Sequence, residues 1–279
     1  IDAGVSVMNG SFGRAAAPSF QSPYHKDFPD VGFQFYTMGD LLKDAESVQT
    51  LSAADVVMVF AAGNNRRAQP TASRNVSGFG LVPLITRDNT ALGYTDKPSD
   101  AIYRVYSDDA DDQNPYTWEG NQLPFDEVKA FDFSSLAGSL IVVTAVDINE
   151  RTNEVTLAEF SNKCGLAANW CITAPGVEIY STIPMNTYAG GVKWSGTSMA
   201  APFIAGAAAL VRQAFPYMTA RQVIEVLLTT ASEVKNASAE SIDQFGYGLI
   251  NAGRAVRGPI QFGHPSLIEG NDSIFDPIF

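Results

Sequence analysis

"WSGTSMAAPFIAGAAALV", residues 194–211, places Ser198 between a Gly-Thr step and a run of small and apolar residues at helical spacing. A helix beginning at Ser198 brings the free N–H groups of its first turn, and the positive end of its dipole, beside the serine hydroxyl. Gly196 and the alanines leave room for another backbone to approach closely, and Pro202 is expected to cost no hydrogen bond so early in the helix. Two readings follow from the spacing. Ser198 is a nucleophile at the mouth of a helix, or it caps that helix, as serines commonly do. A serine hydroxyl at neutral pH attacks only with a base to take its proton, so a base has to be found elsewhere.

Around this stretch, apolar runs alternate with helix-period segments, the pattern of strands and crossover helices in a mostly parallel sheet. Residues 4–12, "GVSVMNGSF", read as a buried strand, and residues 38–54 carry leucines and alanines at helical spacing. "DVVMVFAA" (55–62) is β-branched and apolar, and Gly63 with Asn64 ends it. "SLIVVTAVD" (139–147) repeats the strand pattern, and "WCITAPGVEIYSTI" (170–183) gives two more extended segments. The helix after Ser198 is predicted to stop near Pro216, and residues 219–232 form an amphipathic helix with a threonine cap at Thr219. A polar and aromatic tract separates Asn64 from the strand near Ile141. Its aspartates, Asp108, Asp109, Asp111 and Asp112, lack the glycine and terminal glutamate of an EF-hand loop, so a solvated surface loop is expected there. Residues 259–279 show neither period and read as an arm or a linker.

The 279 residues, 46% hydrophobic and 17% charged, supply a sizeable core. A formal charge of −12 repels polyanions, which argues against a nucleic-acid partner. No stretch approaches the ~20 apolar residues of a membrane span, and the chain opens without the pattern of a secretory signal. The two cysteines, Cys164 and Cys171 in "CGLAANWC", are either unrelated buried thiols or a small disulfide loop; their closeness favours the disulfide and an oxidising compartment.

"GTSMAAPFIAGAAALV" resembles the nucleophile motif of the subtilisin-like serine proteases over a contiguous run. The resemblance implies that Ser198 attacks, that its own N–H is one oxyanion donor, and that Thr197 shapes the same hole. Phe203 departs from the histidine many relatives carry there, which is not the catalytic one. "VVMVFAAGNN" is similar to the family strand whose closing asparagine supplies the oxyanion amide, here Asn64; a plain Gly-Asn turn is the alternative. "VMNGSFG" is similar to the segment that pairs with substrate as an added strand. It sets Ser11, Phe12 and Gly13 on one wall of the specificity pocket and Ala61, Ala62 and Gly63 on the other. "TAPGVEIYSTIP" and "FGYGLINAGRAV" also match, so the resemblance covers about two-thirds of the chain. "SNKCGLAANWCITAPG" most resembles the secreted autotransporter proteases of Gram-negative bacteria, which implies a secreted or bacterial cell-surface protein.

The family orders its triad Asp, His, Ser, and the first matching segment here is one that follows the histidine. Only six residues, Ala3 to Met8, separate Asp2 from "NGSFG", too few for a histidine and its helix. His25 and His264 lack the family's His-Gly-Thr context and read as surface residues. The base is therefore expected on an upstream segment of the same protease, a partner carrying the Asp and the His.

The expected architecture is α/β: a subtilisin-like three-layer α/β/α arrangement with a mostly parallel sheet, its N-terminal part outside this chain. Residues 1–258 form the C-terminal portion of the peptidase domain, with an insertion at about 87–133, and residues 259–279 follow as arm or linker. The expected activity is hydrolysis of peptide bonds in protein or peptide substrates through a serine acyl-enzyme. No cofactor or metal is needed for that chemistry, and structural calcium stays an open question. The alternative is an inactive peptide-binding scaffold or adhesin derived from the same fold.

Overall fold

The computed structural model describes residues 4–12, 38–67, 72–76, 78–84, 132–149, 151–183, 187–188, 192–234 and 241–258. Strand β1 (Val7–Gly10) pairs in parallel with β2 (Val57–Ala61), β2 with β3 (Leu140–Ile148), and β3 with β5 (Cys171–Pro175). The short β4 (Val155–Leu157) turns back antiparallel along the end of β3, and β6 (Thr182–Ile183) pairs with β7 (Thr187–Tyr188) as a separate ribbon.

Strand side chains alternate between two faces, and each face has its own helices. On one side Met58, Phe60, Leu140 and Val142 pack with Ala45 and Val48 of α1 (Met38–Ala53) and with the 3-10 turns Gly78–Leu84, Ser134–Gly138 and Gly165–Trp170. On the other side Val57, Val59, Ile141, Val143 and Ile172 meet Ala200, Ile204, Ala208 and Val211 of α2 (Thr197–Ala214) and Val223, Ile224 and Leu227 of α3 (Ala220–Thr229). Two short helices, α4 (Ser241–Phe245) and α5 (Ala252–Ala255), close the described chain. The result is a three-layer α/β/α sandwich around a mostly parallel sheet. No helix among the described residues is long and apolar enough to cross a membrane.

The predicted elements stand close to the observed ones, with instructive differences. Thr219 caps α3 in a reciprocal capping box with Gln222, but the helix ends at Thr229, where the Thr230 hydroxyl turns back onto the Val226 carbonyl. β1 is not the buried strand its apolar run suggested. Val7 and Met8 are half-buried and Val5 is exposed, because among the described residues β1 pairs with β2 alone. An apolar run looks the same at a sheet's centre and at its edge. The cysteines do form a disulfide, Cys164–Cys171, both half-cystines fully buried around the 3-10 turn that leads into β5. Of the insertion expected at about 87–133, residues 87–131 lie outside the described residues, as does the tail at 259–279; Phe133 is buried in the first core face.

Asp55 ties the layers together. It sits in left-handed conformation (φ 56°) in the turn from α1 to β2, and its carboxylate accepts both Arg212 terminal nitrogens at 3.1 Å and the Ala220 N–H at 2.6 Å. One carboxylate thus holds the last turn of α2 and the first residue of α3, where the helix dipole favours negative charge. Asp55→Ala removes these bonds and strains the backbone, so we expect a loss of about 2 kcal/mol in urea unfolding, with Asp55→Asn intermediate because Asn tolerates the left-handed region.

Candidate active site

The C-terminal ends of the parallel strands and the N-terminus of α2 meet at one edge of the sheet, where open α/β folds place their sites. β2 ends at Ala61, and Gly63, at φ 108°, makes the turn that swings Asn64 back toward α2. The Asn64 side-chain oxygen accepts both the backbone N–H and the hydroxyl of Thr197, each at 2.9 Å, and the Thr197 hydroxyl accepts the Gly63 N–H at 3.2 Å. Because the Thr197 N–H can only donate, the amide atom facing it is the oxygen, and the Asn64 NH₂ points the other way. Thr197 is completely buried; its contribution is to hold Asn64.

Gly196 occupies the position before α2, with no side-chain cap, so Ser198 is the second residue of the helix and does not cap it. Its N–H has no intrahelical acceptor at that position. A Cβ built on Gly196 would lie 3.5 Å from Asn64 Nδ2 and 3.6 Å from Ser198 N. Two N–H donors therefore flank one small hollow at the positive end of an 18-residue helix with no acidic residue in its first turn. This is the geometry of an anion cradle.

The Ser198 hydroxyl beside it donates to the Ser11 carbonyl at 3.1 Å, and the Ser11 hydroxyl donates to the Ser198 carbonyl at 2.9 Å. Pro202 does cost a hydrogen bond, contrary to expectation. It is the sixth residue of α2, past the free N–H positions, so the Ser198 carbonyl loses the donor four residues on.

The remaining expected residues are placed as follows. Phe12 is 61% exposed, one residue from the carbonyl that receives the Ser198 hydroxyl, and its ring stands edge-on to Phe79 at 6.0 Å. Ala61 and Ala62 are buried, their methyls in opposite core faces, so what they offer a groove is main chain, with Gly63 beside them. Gly13, Asp2, His25, His264 and the aspartates at 108–112 lie outside the described residues. Among the described residues no group of three His, Cys, Asp or Glu side chains could hold a metal ion.

Two supports went unread in the sequence. Asn162, buried, donates its backbone N–H to the Gly63 carbonyl and accepts the Asn65 N–H on its side-chain oxygen, bracing the Asn64 turn from below. Gly176, just past β5, accepts the Gly196 N–H at 2.8 Å, and a Cβ on it would meet the Gly196 carbonyl at the same distance. Neither residue belongs to a motif that spacing alone would single out.

A profile of the Peptidase_S8 (subtilase) family matches residues 1–248. The chain belongs to the subtilase family. Within it, this subtilase is 37% identical over 135 residues to serotype-specific antigen 1 of Mannheimia haemolytica and 33% identical over 151 residues to an extracellular serine protease of Serratia marcescens. Each match covers 47% of this chain but only 14% of the relative's length. It is also 38% identical over 102 residues to the autotransporter lipoprotein NalP of Neisseria meningitidis, across 37% of this chain and 9% of NalP. Among solved structures, the patellamide maturation protease PatA aligns with 91% of this chain and 63% of its own, at 19% identity and a TM-score of 0.49. The family match and the curated relatives establish membership of the subtilases and a kinship with secreted and autotransporter serine proteases.

A methyl group on Gly196 would occupy the hollow between the two donors. Its φ of 164° is ordinary extended backbone and its nearest neighbour is the flexible Met199 sulfur at 3.3 Å, so Gly196→Ala is expected to fold normally. The same methyl should keep an acceptor oxygen from reaching Asn64 Nδ2 and the Ser198 N–H, and under the function proposed below it should slow fluorophosphonate modification of Ser198 in the full-length protein by about 100-fold or more. Labelling rate against unfolding midpoint checks this.

Proposed function

We propose that this chain carries the nucleophile and the oxyanion hole of a subtilisin-like serine endopeptidase, and that the aspartate and histidine come from an upstream segment of the same protease. The observation that carries the reading is the pair of donors, Asn64 Nδ2 and the Ser198 N–H, set on one hollow beside the Ser198 hydroxyl. Ser198 Oγ attacks the peptide carbonyl carbon while its proton passes to the histidine, and the oxyanion develops between the two donors. Collapse of the tetrahedral intermediate expels the amine, which takes that proton, and water then hydrolyses the acyl-enzyme. Substrate enters as an extended strand beside Ser11, Phe12 and Gly13, with the Ala61–Gly63 backbone opposite.

The upstream partner is supported by two surfaces. β1 has a free edge among the described residues, and α2 turns an apolar face to solvent, with Phe203 and Leu210 45% and 49% exposed and nothing within 4 Å of a Cβ built on Gly206. A strand on that edge followed by a helix on that face would bring its own active end beside Ser198, since parallel strands end and their helices begin on the same side. The buried disulfide and the extracellular and autotransporter relatives place the protein outside the cytosol, secreted or at the cell surface.

Full-length protein is expected to label rapidly with a fluorophosphonate at Ser198, whereas residues 1–279 alone label slowly, lacking the base. Asn64→Ala in the full-length protein should cost about 100- to 1,000-fold in turnover with little change in KM, a magnitude known from a member of this same family. Fast labelling of the isolated chain would reopen His25 as a base. Unchanged biological activity in Ser198→Ala would favour the scaffold or adhesin reading.

A further inference from the structure

The Ser198 carbonyl sits in a helix that cannot serve it. Its ordinary partner would be the N–H four residues on, and that residue is Pro202, which has none. The carbonyl's partner comes instead from 187 positions away, the Ser11 hydroxyl at 2.9 Å. That hydroxyl is itself oriented, because Asn9 Nδ2 donates into its oxygen at 2.9 Å and leaves the Ser11 proton for the Ser198 carbonyl, nearer than the alternative Asn9 oxygen at 3.2 Å. Ser11 closes the loop through its own carbonyl, which accepts the Ser198 hydroxyl at 3.1 Å. Both residues are half-buried, so water replaces these bonds poorly.

We propose that Ser11 is a positioning residue for Ser198: its hydroxyl replaces the helix donor that Pro202 removes and locks the first turn of α2 to the end of β1. The proposal rests on the reading of Ser198 as nucleophile only for its catalytic consequence; the clasp itself is a statement about hydrogen bonding. It gives Ser11 a role apart from any wall it forms for substrate. The Ser198 N–H and Oγ belong to the residue whose carbonyl is clamped, so a turn that slackens by a few tenths of an ångström moves both away from a reacting carbonyl. The helix-breaking proline thus becomes a device: α2 cannot satisfy its own second carbonyl, and a neighbouring strand must.

The test is a double-mutant cycle in the full-length protein with Ser11→Ala, Pro202→Ala and the pair, plus Ser11→Thr as the conservative variant. Ser11→Ala alone is expected to lower kcat and the fluorophosphonate labelling rate about 10-fold with KM nearly unchanged, the loss of one such bond. Pro202→Ala restores the missing N–H, so in that background Ser11→Ala should cost no more than about 2-fold, and Ser11→Thr should retain most of the rate. An equal cost of Ser11→Ala in both backgrounds, or a loss confined to KM, overturns the proposal. The same cycle read by urea unfolding midpoints keeps the two claims apart. Coupling between positions 11 and 202 in stability, with no labelling of the wild type, supports the clasp and sinks the protease reading; labelling without any coupling sinks the clasp alone.

Discussion

The site depends on one side-chain oxygen. Asn64 Oδ1 takes two hydrogen bonds from Thr197, joining the end of β2 to the start of α2 across 133 positions of sequence. Remove that oxygen, and the buried Thr197 N–H and hydroxyl lose their acceptor, a penalty large enough to shift a helix end. Because the oxygen is committed, the NH₂ end of the same amide has no choice of direction. Structural anchoring and chemical capability are two ends of one carboxamide.

The surrounding fold keeps that junction rigid. Asn162 braces the Asn64 turn, Gly176 grips Gly196, and the Ser11–Ser198 pair clamps β1 to the same helix end. Gly176 follows β5, and β5 begins at a half-cystine buried in the core, so the disulfide and the α2 terminus share one strand. Preorganised donors act only if they do not move when charge develops; here three neighbouring segments brace the residues that carry the two N–H groups. At the other end of α2, Asp55 does comparable work, tying its last turn to the first residue of α3 with one carboxylate.

What one chain leaves exposed is as informative as what it buries. α2 is apolar on both sides, yet only the face carrying Ala200, Ile204 and Val211 meets the sheet. Phe203 and Leu210 are exposed on a helix packed near β1, which among the described residues pairs with β2 alone. Hydrophobic periodicity reported the helix correctly and said nothing about which of its apolar faces has a neighbour.

By itself, the amino-acid sequence determined the layered α/β architecture, extended segments within 55–62, 139–147 and 170–183, the capped helix at 219, the cysteine pair and the candidate residues Asn64, Thr197 and Ser198. These are legible because alternation, helical period, capping residues and short motifs are local in the chain. The edge position of β1, the bracing by Asn162 and Gly176, and the cost of Pro202 were decided by the tertiary structure. Each of these turns on which backbone groups find partners, and at this site those partners lie from 20 positions away, for Gly176 and Gly196, to 187, for Ser11 and Ser198. A proline that looked harmless along the chain proved consequential only once the carbonyl it deprived, and the distant serine that answers it, stood side by side.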